Sequence, residues 1–427
     1  MRRLVSARTR PFLASTLQRL LIFLSIFGPA TITAMADNDA GGVATYSIAG
    51  ARLGYPILFA LLIITVLLGI TQEMGMRLTL VTRRGLADLI REKYGVRASL
   101  FIFVCLLIAN VGTIIVDMSA IKTSSSMLHI PAIPAVIVII ALTYLLVIKG
   151  NYKLTQNIML LACFFYLTYI ISAFKANPDW KMAVSNIVYP HGVDFTAAYL
   201  KDFLLIGMGV LGTTITPWGQ FFISSFAYDK KIDAGKIIYS QVETYWGAFL
   251  TDFFSFFMIV ATAATLFIHK IPLVSGEQAA LAIKPFAGDL AGSLFALGIL
   301  DAGFMGVAII SLSTAYAFSE FFGLSGSLDS SYKQSRTFYV LFLGQLLVAG
   351  LATLLPGVSL FQLAITTQTI NAMSLPFVFY YLIRLTSDHR LMDKFANTAF
   401  QRYFAIIATI VISIASVATL VAVLANF

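Results

Sequence analysis

The sequence predicts an all-α integral membrane protein in which two repeats of five membrane helices are followed by an eleventh helix. Three observations predict this fold. Hydrophobic residues make up 59% of the 427-residue chain and charged residues only 11%, whereas soluble domains carry about 25% charge. Eleven apolar segments reach the roughly 20 residues that a bilayer requires. The first and sixth segments, which begin the two halves, are both interrupted by glycine and proline.

The apolar segments follow one another along the whole chain. Stretches such as "ILFALLIITVLLGI" and "AVIVIIALTYLLVI" are typical of membrane spans. We predict spans at residues 20–50, 56–80, 98–126, 132–149, 155–175, 200–227, 240–268, 289–322, 337–354, 360–385 and 402–426. The predicted organisation is an N-terminal tail (1–19), repeat one (20–175), an external connection (176–199), repeat two (200–385), and a loop with the eleventh helix (386–427).

The Lys and Arg residues behind the net charge of +9 are distributed as the positive-inside rule predicts. With the N-terminus inside, the inner connections hold 22 of the 29 Lys and Arg residues. The N-terminal "MRRLVSARTRPFLASTLQRL" resembles the start of a signal peptide, but no small-residue cleavage site follows its apolar run, so we interpret it as a cytoplasmic tail. We therefore predict a multi-pass protein of a prokaryotic cell membrane, with its N-terminus cytoplasmic and its C-terminus outside, that binds lipid and no nucleic acid.

The first and sixth spans are broken at matching positions. The first contains Gly28-Pro29 and then "DAGG" at 39–42, and in the sixth, "LIGMGVLGTTITPWGQFFISS", Pro217 lies between glycines. A carboxylate at mid-membrane costs at least about 2.5 kcal/mol on insertion scales. Broken spans at matching positions of two halves are typical of transporters with inverted repeats, whose substrate lies between the broken helices. Ordinary kinks are the simpler alternative, and the carboxylate of Asp39 at the break argues against them.

The first span resembles that of the Nramp family of divalent-metal transporters. In "GPATITAMADNDAGGVATYSIAGARLGY", Asp39 lies eleven residues after Gly28, as the Asp of the family's Asp-Pro-Gly-Asn motif does, and the later Ala-Thr and Gly-Tyr pairs also match. "TQEMGMRLTLVTRRGLADLIREKYG" is similar to the family's second span and following loop, and "NAMSLPFVFYYLIRLTSDHRLM" to its tenth. The resemblance extends from about residue 20 to residue 400. It implies the inverted-repeat fold shared with LeuT-type transporters.

Four positions depart from the family pattern. The Asn of the first span is Gly42 here. In the sixth span, the Met and His of the family's Ala-Thr-Val-Met-Pro-His are Thr216 and Trp218, and in the third span the Glu of Asp-Leu-Ala-Glu is Ala120. The Nramp-related magnesium transporters show substitutions of this kind, and the chain resembles them.

The metal ligands implied by the resemblance are all oxygen atoms. They are the Asp39 carboxylate, the Thr216 hydroxyl and freed carbonyls near Ala36 and Thr213, and Gly42 leaves room for water. A thioether favours transition metals, whereas oxygen sites suit Mg²⁺, Ca²⁺ and Mn²⁺. Mg²⁺ also keeps several of its waters when bound. The alternative for the Thr216 hydroxyl is a hydrogen bond to a carbonyl of its own helix.

Proton coupling requires titratable groups, and the spans offer few of them. All four His residues fall at span ends or in loops, and neither Trp218 nor Ala120 can titrate. Asp117 is the main relay candidate that is left, and we place Trp218 and Gln368 along the same pathway. Lys122 follows Asp117 on the same predicted helix, and we expect it to be the partner of that carboxylate.

The spans contain further carboxylates, for which a structural and a functional role are both open. These are Asp37, Asp252, Asp301 and Glu320. Asp37 lies two residues before Asp39 and would face another side of a regular helix. We therefore do not expect Asp37 to be a direct ligand unless the break redirects it.

These observations predict a transporter that moves Mg²⁺, and tolerates Mn²⁺, by alternating access without strict proton coupling. A proton-coupled Mn²⁺/Fe²⁺ importer is the first alternative. An organic-solute symporter on the same fold is another, although Asp39 would repel the anionic group that such sites hold. A receptor that binds without transport is a further one. We expect no enzyme activity and no cofactor, because no catalytic or nucleotide motif is visible, and a monomer is sufficient.

Overall fold

The predicted spans are helices in the structure, a computed structural model that describes residues 27–149, 152–193, 196–232, 234–284 and 288–424. No β-strand occurs in these ranges. Within the described residues, eight helical segments are long and apolar enough to cross a membrane. The first and fifth spans are divided into shorter pieces, and the tenth carries the polar run "TTQTIN" at its centre. The predicted tail 1–19 and the start of the first span lie outside the described residues.

Helices α1 to α7 build the first half, and a short α8 lies in the connection between the halves. Their bounds are α1 Pro29–Ala36, α2 Ala40–Leu53, α3 Ile57–Thr82, α4 Leu86–Met127, α5 Ala132–Lys149, α6 Tyr152–Ala162, α7 Leu167–Lys175 and α8 Trp180–Val188. Helices α9 to α17 complete the described chain. Their bounds are α9 Ala197–Thr214, α10 Pro217–Asp229, α11 Ile237–Thr262, α12 Gly276–Ala280, α13 Ala291–Phe322, α14 Arg336–Thr353, α15 Leu360–Thr386, α16 His389–Met392 and α17 Ala399–Leu424.

Both predicted breaks are present. Residues 37–39 separate α1 from α2, and residues 215–216 separate α9 from α10. Pro217 begins α10, where its missing N–H costs no hydrogen bond, and it disfavours helical backbone at the residue before it. Thr216 is accordingly extended, with φ −89° and ψ 144°. The fold is the predicted inverted repeat with an additional helix.

The third span differs from its predicted bounds. We predicted its start at residue 98, whereas α4 begins at Leu86 and is interrupted at Gly95, where φ is 81°. A left-handed backbone conformation of this kind favours glycine. The polar segment before residue 98 is largely helical, because the amides at its start donate hydrogen bonds to side chains of neighbouring helices.

Two glycines bring helices of different spans into close contact. A Cβ on Gly50 of α2 would lie 2.4 Å from the carbonyl oxygen of Ile259 in α11. A Cβ on Gly212 of α9 would lie 1.8 Å from the carbonyl oxygen of Gln368 in α15. Small residues at such crossings let helix backbones approach in a membrane. The second contact sets the polar centre of α15 beside the two breaks.

A cavity opens at one end of the helix bundle. Residues 54–56 join α2 to α3 at this end, which we call the Gly54 end. The cavity has a volume of about 910 Å³, and its lining includes Ile48, Arg52, Asp202 and Ile365. Ile365 lies about one helical turn before Gln368, so the cavity reaches towards the breaks.

The opposite end is closed by carboxylates that bind helix N-termini. We call it the Gly85 end, because residues 83–85 join α3 to α4 there. Glu320 of α13 accepts hydrogen bonds from the Ser225 hydroxyl at 2.5 Å and from the Ala87 N–H at 3.3 Å. The Leu86 N–H donates to the Ser224 hydroxyl at 2.8 Å. These contacts satisfy the first amides of α4 and join it to α10 and α13.

A second carboxylate holds the start of α1. Glu243 of α11 accepts hydrogen bonds from the N–H groups of Gly28 at 2.7 Å and Thr31 at 3.1 Å. These amides have no partner within α1, and the helix dipole favours a negative charge at this position. The first half of the broken span is therefore fixed to α11 at the Gly85 end.

Candidate functional site

Asp39 begins the second half of the first span. Its Oδ1 accepts a hydrogen bond from the Gly42 N–H at 2.6 Å, so the side chain caps α2. The residue is 1% exposed, and Oδ2 has no hydrogen-bond partner among the described residues. One carboxylate oxygen therefore fixes the break, and the other is left for a ligand.

Asp117 of α4 lies against the same break. Its Oδ1 accepts a hydrogen bond from the Gly41 N–H at 3.3 Å, and its buried Oδ2 has no partner in the part of the chain that the structure describes. Gly306 of α13 covers both carboxylates. A Cβ there would lie 2.2 Å from Asp117 Oδ2 and 2.8 Å from the Cβ of Asp39. The structure thus joins Asp39 and Asp117 as a pair, each with one unpaired oxygen.

The predicted ion pair between Asp117 and Lys122 is wrong. The Lys122 ammonium donates hydrogen bonds to the carbonyl oxygens of Thr353 at 3.0 Å and Val358 at 3.3 Å. Five residues advance a helix by about 500°, which turns Lys122 about 140° away from Asp117. The carboxylate pair is therefore left without this cation.

Thr216 faces the other side of the first break. Its hydroxyl donates to Asp37 Oδ1 at 3.1 Å and accepts from the Gly219 N–H at 3.1 Å, which caps α10. No hydrogen bond to a carbonyl of its own helix occurs among the described contacts of this hydroxyl. Gln72 of α3 donates to the other Asp37 oxygen at 3.4 Å. Asp37 therefore faces another side of the break than Asp39, as expected, and its carboxylate joins the two interrupted spans.

The remaining predicted ligands lie around the same backbone turn. The Thr213 hydroxyl donates to the Asp37 carbonyl oxygen at 3.4 Å. A Cβ on Gly42 would lie 2.4 Å from that oxygen, so the glycine here permits a close backbone approach. The Ala36 carbonyl, which we expected to be freed by the break, accepts a hydrogen bond from the Asp39 N–H at 3.0 Å. That expectation is corrected, because a tight turn closes the backbone across the break.

Gln368 of α15 completes the polar surroundings of the carboxylate pair. A Cβ on Gly41 would lie 2.7 Å from its Nε2, and this buried nitrogen has no partner within the described ranges. Its Oε1 accepts from Asn371 at 2.7 Å, and Asn371 also donates to Thr113 at 3.1 Å. Sequence reasoning missed Asn371, although the polar run in an otherwise apolar span was a usable signal.

Trp218 is fully buried one residue beyond Pro217. Its backbone carbonyl accepts a hydrogen bond from the Ser313 hydroxyl at 2.9 Å, and its indole Nε1 has no partner among the residues described. The side chain occupies volume beside the break and supplies no titratable group.

The described residues contain no group of three or more His, Cys, Asp or Glu side chains that could hold one metal ion. A cation at this site would therefore be bound by the Asp39–Asp117 pair together with hydroxyl, amide or carbonyl oxygens and water. Such a donor set is hard, and it suits ions that retain part of their hydration shell.

Comparison with known proteins places the chain among membrane transporters. The family profile described as Nramp, natural resistance-associated macrophage protein-like, matches residues 30–422. The chain is 25% identical over 405 residues to the divalent metal cation transporter MntH of Verminephrobacter eiseniae. The alignment covers 91% of this chain and 86% of the relative. It is 22% identical over 402 residues to MntH of Caldanaerobacter subterraneus, with 90% of each covered.

Solved structures show the same fold. The manganese transporter of Eremococcus coleocola superposes with a TM-score of 0.77 at 18% identity, covering 92% of this chain and 85% of that one. A Na⁺-coupled sialic acid symporter superposes with a TM-score of 0.58 at 13% identity, covering 93% and 89%. At these identities the likeness concerns the fold alone.

We predict that Gly306→Ala separates the carboxylate pair, because the added methyl group would overlap Asp117 Oδ2. The affinity for a divalent cation should fall roughly tenfold, measured by equilibrium dialysis with Mn²⁺ on the purified chain. Gly292→Ala on the same helix is the control, since no heavy atom lies within 4 Å of a Cβ there. Equal affinities for the two variants would show that Asp39 and Asp117 do not act together.

Proposed function

The chain belongs to the Nramp family, and on that premise we propose that it moves divalent cations across a membrane by alternating access, with Mg²⁺ as the main substrate and Mn²⁺ tolerated. One observation carries the choice of Mg²⁺. Position 216, where the family has a thioether, holds a hydroxyl that faces the break and contacts the Asp37 carboxylate at 3.1 Å. An oxygen in place of sulfur removes the ligand that favours transition metals.

The hydration of Mg²⁺ supports the same proposal. This ion gives up its waters reluctantly and is usually bound through one or two carboxylates. The Asp39–Asp117 pair supplies two carboxylates, each with one oxygen that has no partner among the described residues. The Gln368 amide and the Thr213 hydroxyl and carbonyl would bind the ion or its waters around the pair, the Thr216 hydroxyl would contact the waters of the ion from the other side of the break, and Gly42 adds no side chain.

Transport without strict proton coupling is the second part of the proposal. The residues at the family's His and Glu positions are Trp218 and Ala120, which carry no titratable group. Asp117 is left in the relay position, but it lies beside Asp39 under Gly306, where it can contact the ion itself. A carboxylate that binds the cation is not free to carry a proton alongside it.

We also propose that the N-terminus is cytoplasmic, so that the Gly54 end faces outward. The cavity of about 910 Å³ then gives ions access from outside, and the carboxylate contacts of Glu320 and Glu243 close the inner side. Both breaks and all the proposed ligands come from one chain, so a monomer is sufficient for transport.

A proton-coupled Mn²⁺ importer is the competing function. It is favoured by the relatives of the chain, which are divalent metal cation transporters and, among solved structures, a manganese transporter. The two functions differ in substrate and in proton movement, and both differences can be measured in one assay.

We expect purified protein in liposomes to take up Mg²⁺ and Mn²⁺ without a matching proton flux. A pH-sensitive dye inside the vesicles reports protons, and an ion-sensitive dye reports the cation. Ca²⁺ is tested alongside. Acidification of the interior that tracks Mg²⁺ entry would contradict the uncoupled mechanism and identify Asp117 as the group to mutate next.

Asp39→Ala should abolish cation uptake and leave a folded protein. The substitution removes a buried carboxylate, and this lowers the free-energy cost of placing the helix in the membrane. We therefore expect the variant to insert normally. Uptake in liposomes and size-exclusion chromatography measure the two properties. Asp301→Asn, which removes another carboxylate from a span, is the control and should transport normally. Mg²⁺ transport by Asp39→Ala at the wild-type rate would remove Asp39 from the site.

Thr216→Met should shift the preference from Mg²⁺ towards Mn²⁺ and Cd²⁺, because a thioether interacts better with polarisable ions and crowds the waters of Mg²⁺. The measurement is competition of Cd²⁺ with Mg²⁺ uptake, with Thr216→Ser as the control that keeps the hydroxyl. Gly42 is left unchanged, since a Cβ there would lie 2.4 Å from the Asp37 carbonyl. An active Thr216→Met protein that retains the wild-type selectivity would show that residue 216 does not select the ion.

A further inference from the structure

Gln368 turns its amide nitrogen, and not its oxygen, towards the carboxylate pair. A Cβ on Gly41 would lie 2.7 Å from Gln368 Nε2 and 3.2 Å from Asp39 Oδ1, so both atoms lie around the same backbone position. The nitrogen is buried and has no hydrogen-bond partner among the described residues. An amide nitrogen carries only N–H donors, which attract carboxylates and repel cations. In this orientation the side chain suits an empty site better than a loaded one.

Asn371 holds the Gln368 amide in this orientation. Its Nδ2 donates to Gln368 Oε1 at 2.7 Å and to the Thr113 hydroxyl oxygen at 3.1 Å. The Thr113 hydroxyl is able to accept because it donates its own hydrogen to the Ala109 carbonyl at 3.0 Å. All three side chains are fully buried. They form a continuous chain of hydrogen bonds that runs from α4 to α15 and ends beside the carboxylate pair.

The same chain of hydrogen bonds can form in the opposite direction. A hydroxyl both donates and accepts, and each amide has a donor side and an acceptor side. If the Thr113 hydroxyl turns towards Asn371 and both amides turn over, the Asn371 oxygen accepts from Thr113 and from the Gln368 nitrogen. Only the bond from Thr113 to Ala109 is lost, and that carbonyl lies within the regular hydrogen bonding of α4. The charge beside Gln368 can therefore decide which direction forms.

Such a reversal involves side chains alone. A Cβ on Gly212 would lie 1.8 Å from the carbonyl oxygen of Gln368, so α9 packs tightly against the backbone that carries this amide. The present direction leaves Gln368 Nε2 and Asn371 Oδ1 without partners among the described residues. The reversed direction would leave the other atom of each amide unpaired, so the number of unpaired amide atoms stays the same.

The two directions match the two states of a carrier. An empty site returns across the membrane with two buried carboxylates, which are costly there unless donors stabilise them. The Gln368 N–H group is such a donor. A loaded site contains a cation, and the Gln368 oxygen is then a hard ligand of the kind that Mg²⁺ and Mn²⁺ accept.

We propose that Thr113, Asn371 and Gln368 form an amide relay, which presents the Gln368 N–H group to the empty carboxylate pair and the Gln368 oxygen to the bound cation. Asn371 is the positioning residue of this relay. The inference rests on the proposed function, because only a carrier returns with an empty site. In a proton-coupled carrier, protons can stabilise the carboxylates during the return, and here a neutral amide takes that part.

Net uptake and exchange test the relay, because net uptake requires the return of the empty site and exchange does not. Both are measured with radioactive Mn²⁺ on the full-length protein in liposomes, with Mn²⁺ outside only or at equal concentrations on both sides. Asn371→Asp introduces a carboxylate that only accepts hydrogen bonds when ionised, and this turns the Gln368 nitrogen away from the site. We expect net uptake to slow roughly tenfold more than exchange. Gln368→Met has no donor and adds no charge, so it should slow net uptake in the same way, and it decides the question if Asn371→Asp does not fold.

Asn110→Asp is the matched control. Asn110 of α4 is also fully buried and donates to a threonine hydroxyl, that of Thr314, at 2.7 Å. It has no hydrogen bond to Gln368 among the described contacts. The substitution adds the same charge without turning the Gln368 amide, so it should change net uptake and exchange by the same factor.

The outcomes separate the relay from the proposed function. Net uptake and exchange that slow equally in Asn371→Asp or in Gln368→Met would overturn the relay, and so would wild-type rates of both in Asn371→Asp. Mg²⁺ uptake by the wild type would then still support the proposed function. The expected difference with Mn²⁺, in a protein that moves no Mg²⁺, would support the relay and reject Mg²⁺ as the substrate.

Discussion

Carboxylates buried at an interrupted membrane helix are the constraint on which the rest of this structure depends. Lipid hydrocarbon cannot satisfy them, and each ion that stays unpaired in the membrane costs several kcal/mol. One oxygen of Asp39 and one of Asp117 are satisfied by the amides of Gly42 and Gly41, and the opposite oxygens have no partner among the described residues. Gly306 then brings α13 into contact with both side chains. The packing leaves one oxygen of each carboxylate available to a cation or its water molecules.

The two breaks also reverse the usual electrostatics of helix ends. Two half-helices begin at the breaks, α2 at Ala40 and α10 at Pro217, and the N-terminus of a helix normally favours an anion. Here the protein's own Asp39 and Thr216 accept hydrogen bonds from those amides. The positive ends of the helices are therefore neutralised internally, and the surplus carboxylate oxygens make the site attractive to cations. This argues against an organic anion as substrate even though a sialic acid symporter shares the fold.

The sequence was sufficient to predict the helical fold and the positions of both breaks, because these depend on apolar length and on glycine and proline. It was sufficient for the different directions of Asp37 and Asp39, but it was not sufficient for their partners. The Asp37 carboxylate accepts a hydrogen bond from Thr216, which lies on the other broken span. The partner of Lys122 lies on another span, and the role of Gly306 exists only once α13 packs on α4. Contacts between spans far apart in the chain leave no local pattern to read.

The proposed alternating access requires the Gly85 end to open, and the contacts at this end permit it. Glu320 and Glu243 bind backbone amides at the starts of α4 and α1, and hydrogen bonds to charged groups contribute about 1.5–3 kcal/mol each. When these helix ends separate, water can replace the carboxylates at the exposed amides, because this end lies at the membrane surface. The net cost of opening is then a few kcal/mol, which is the range that separates two populated conformations.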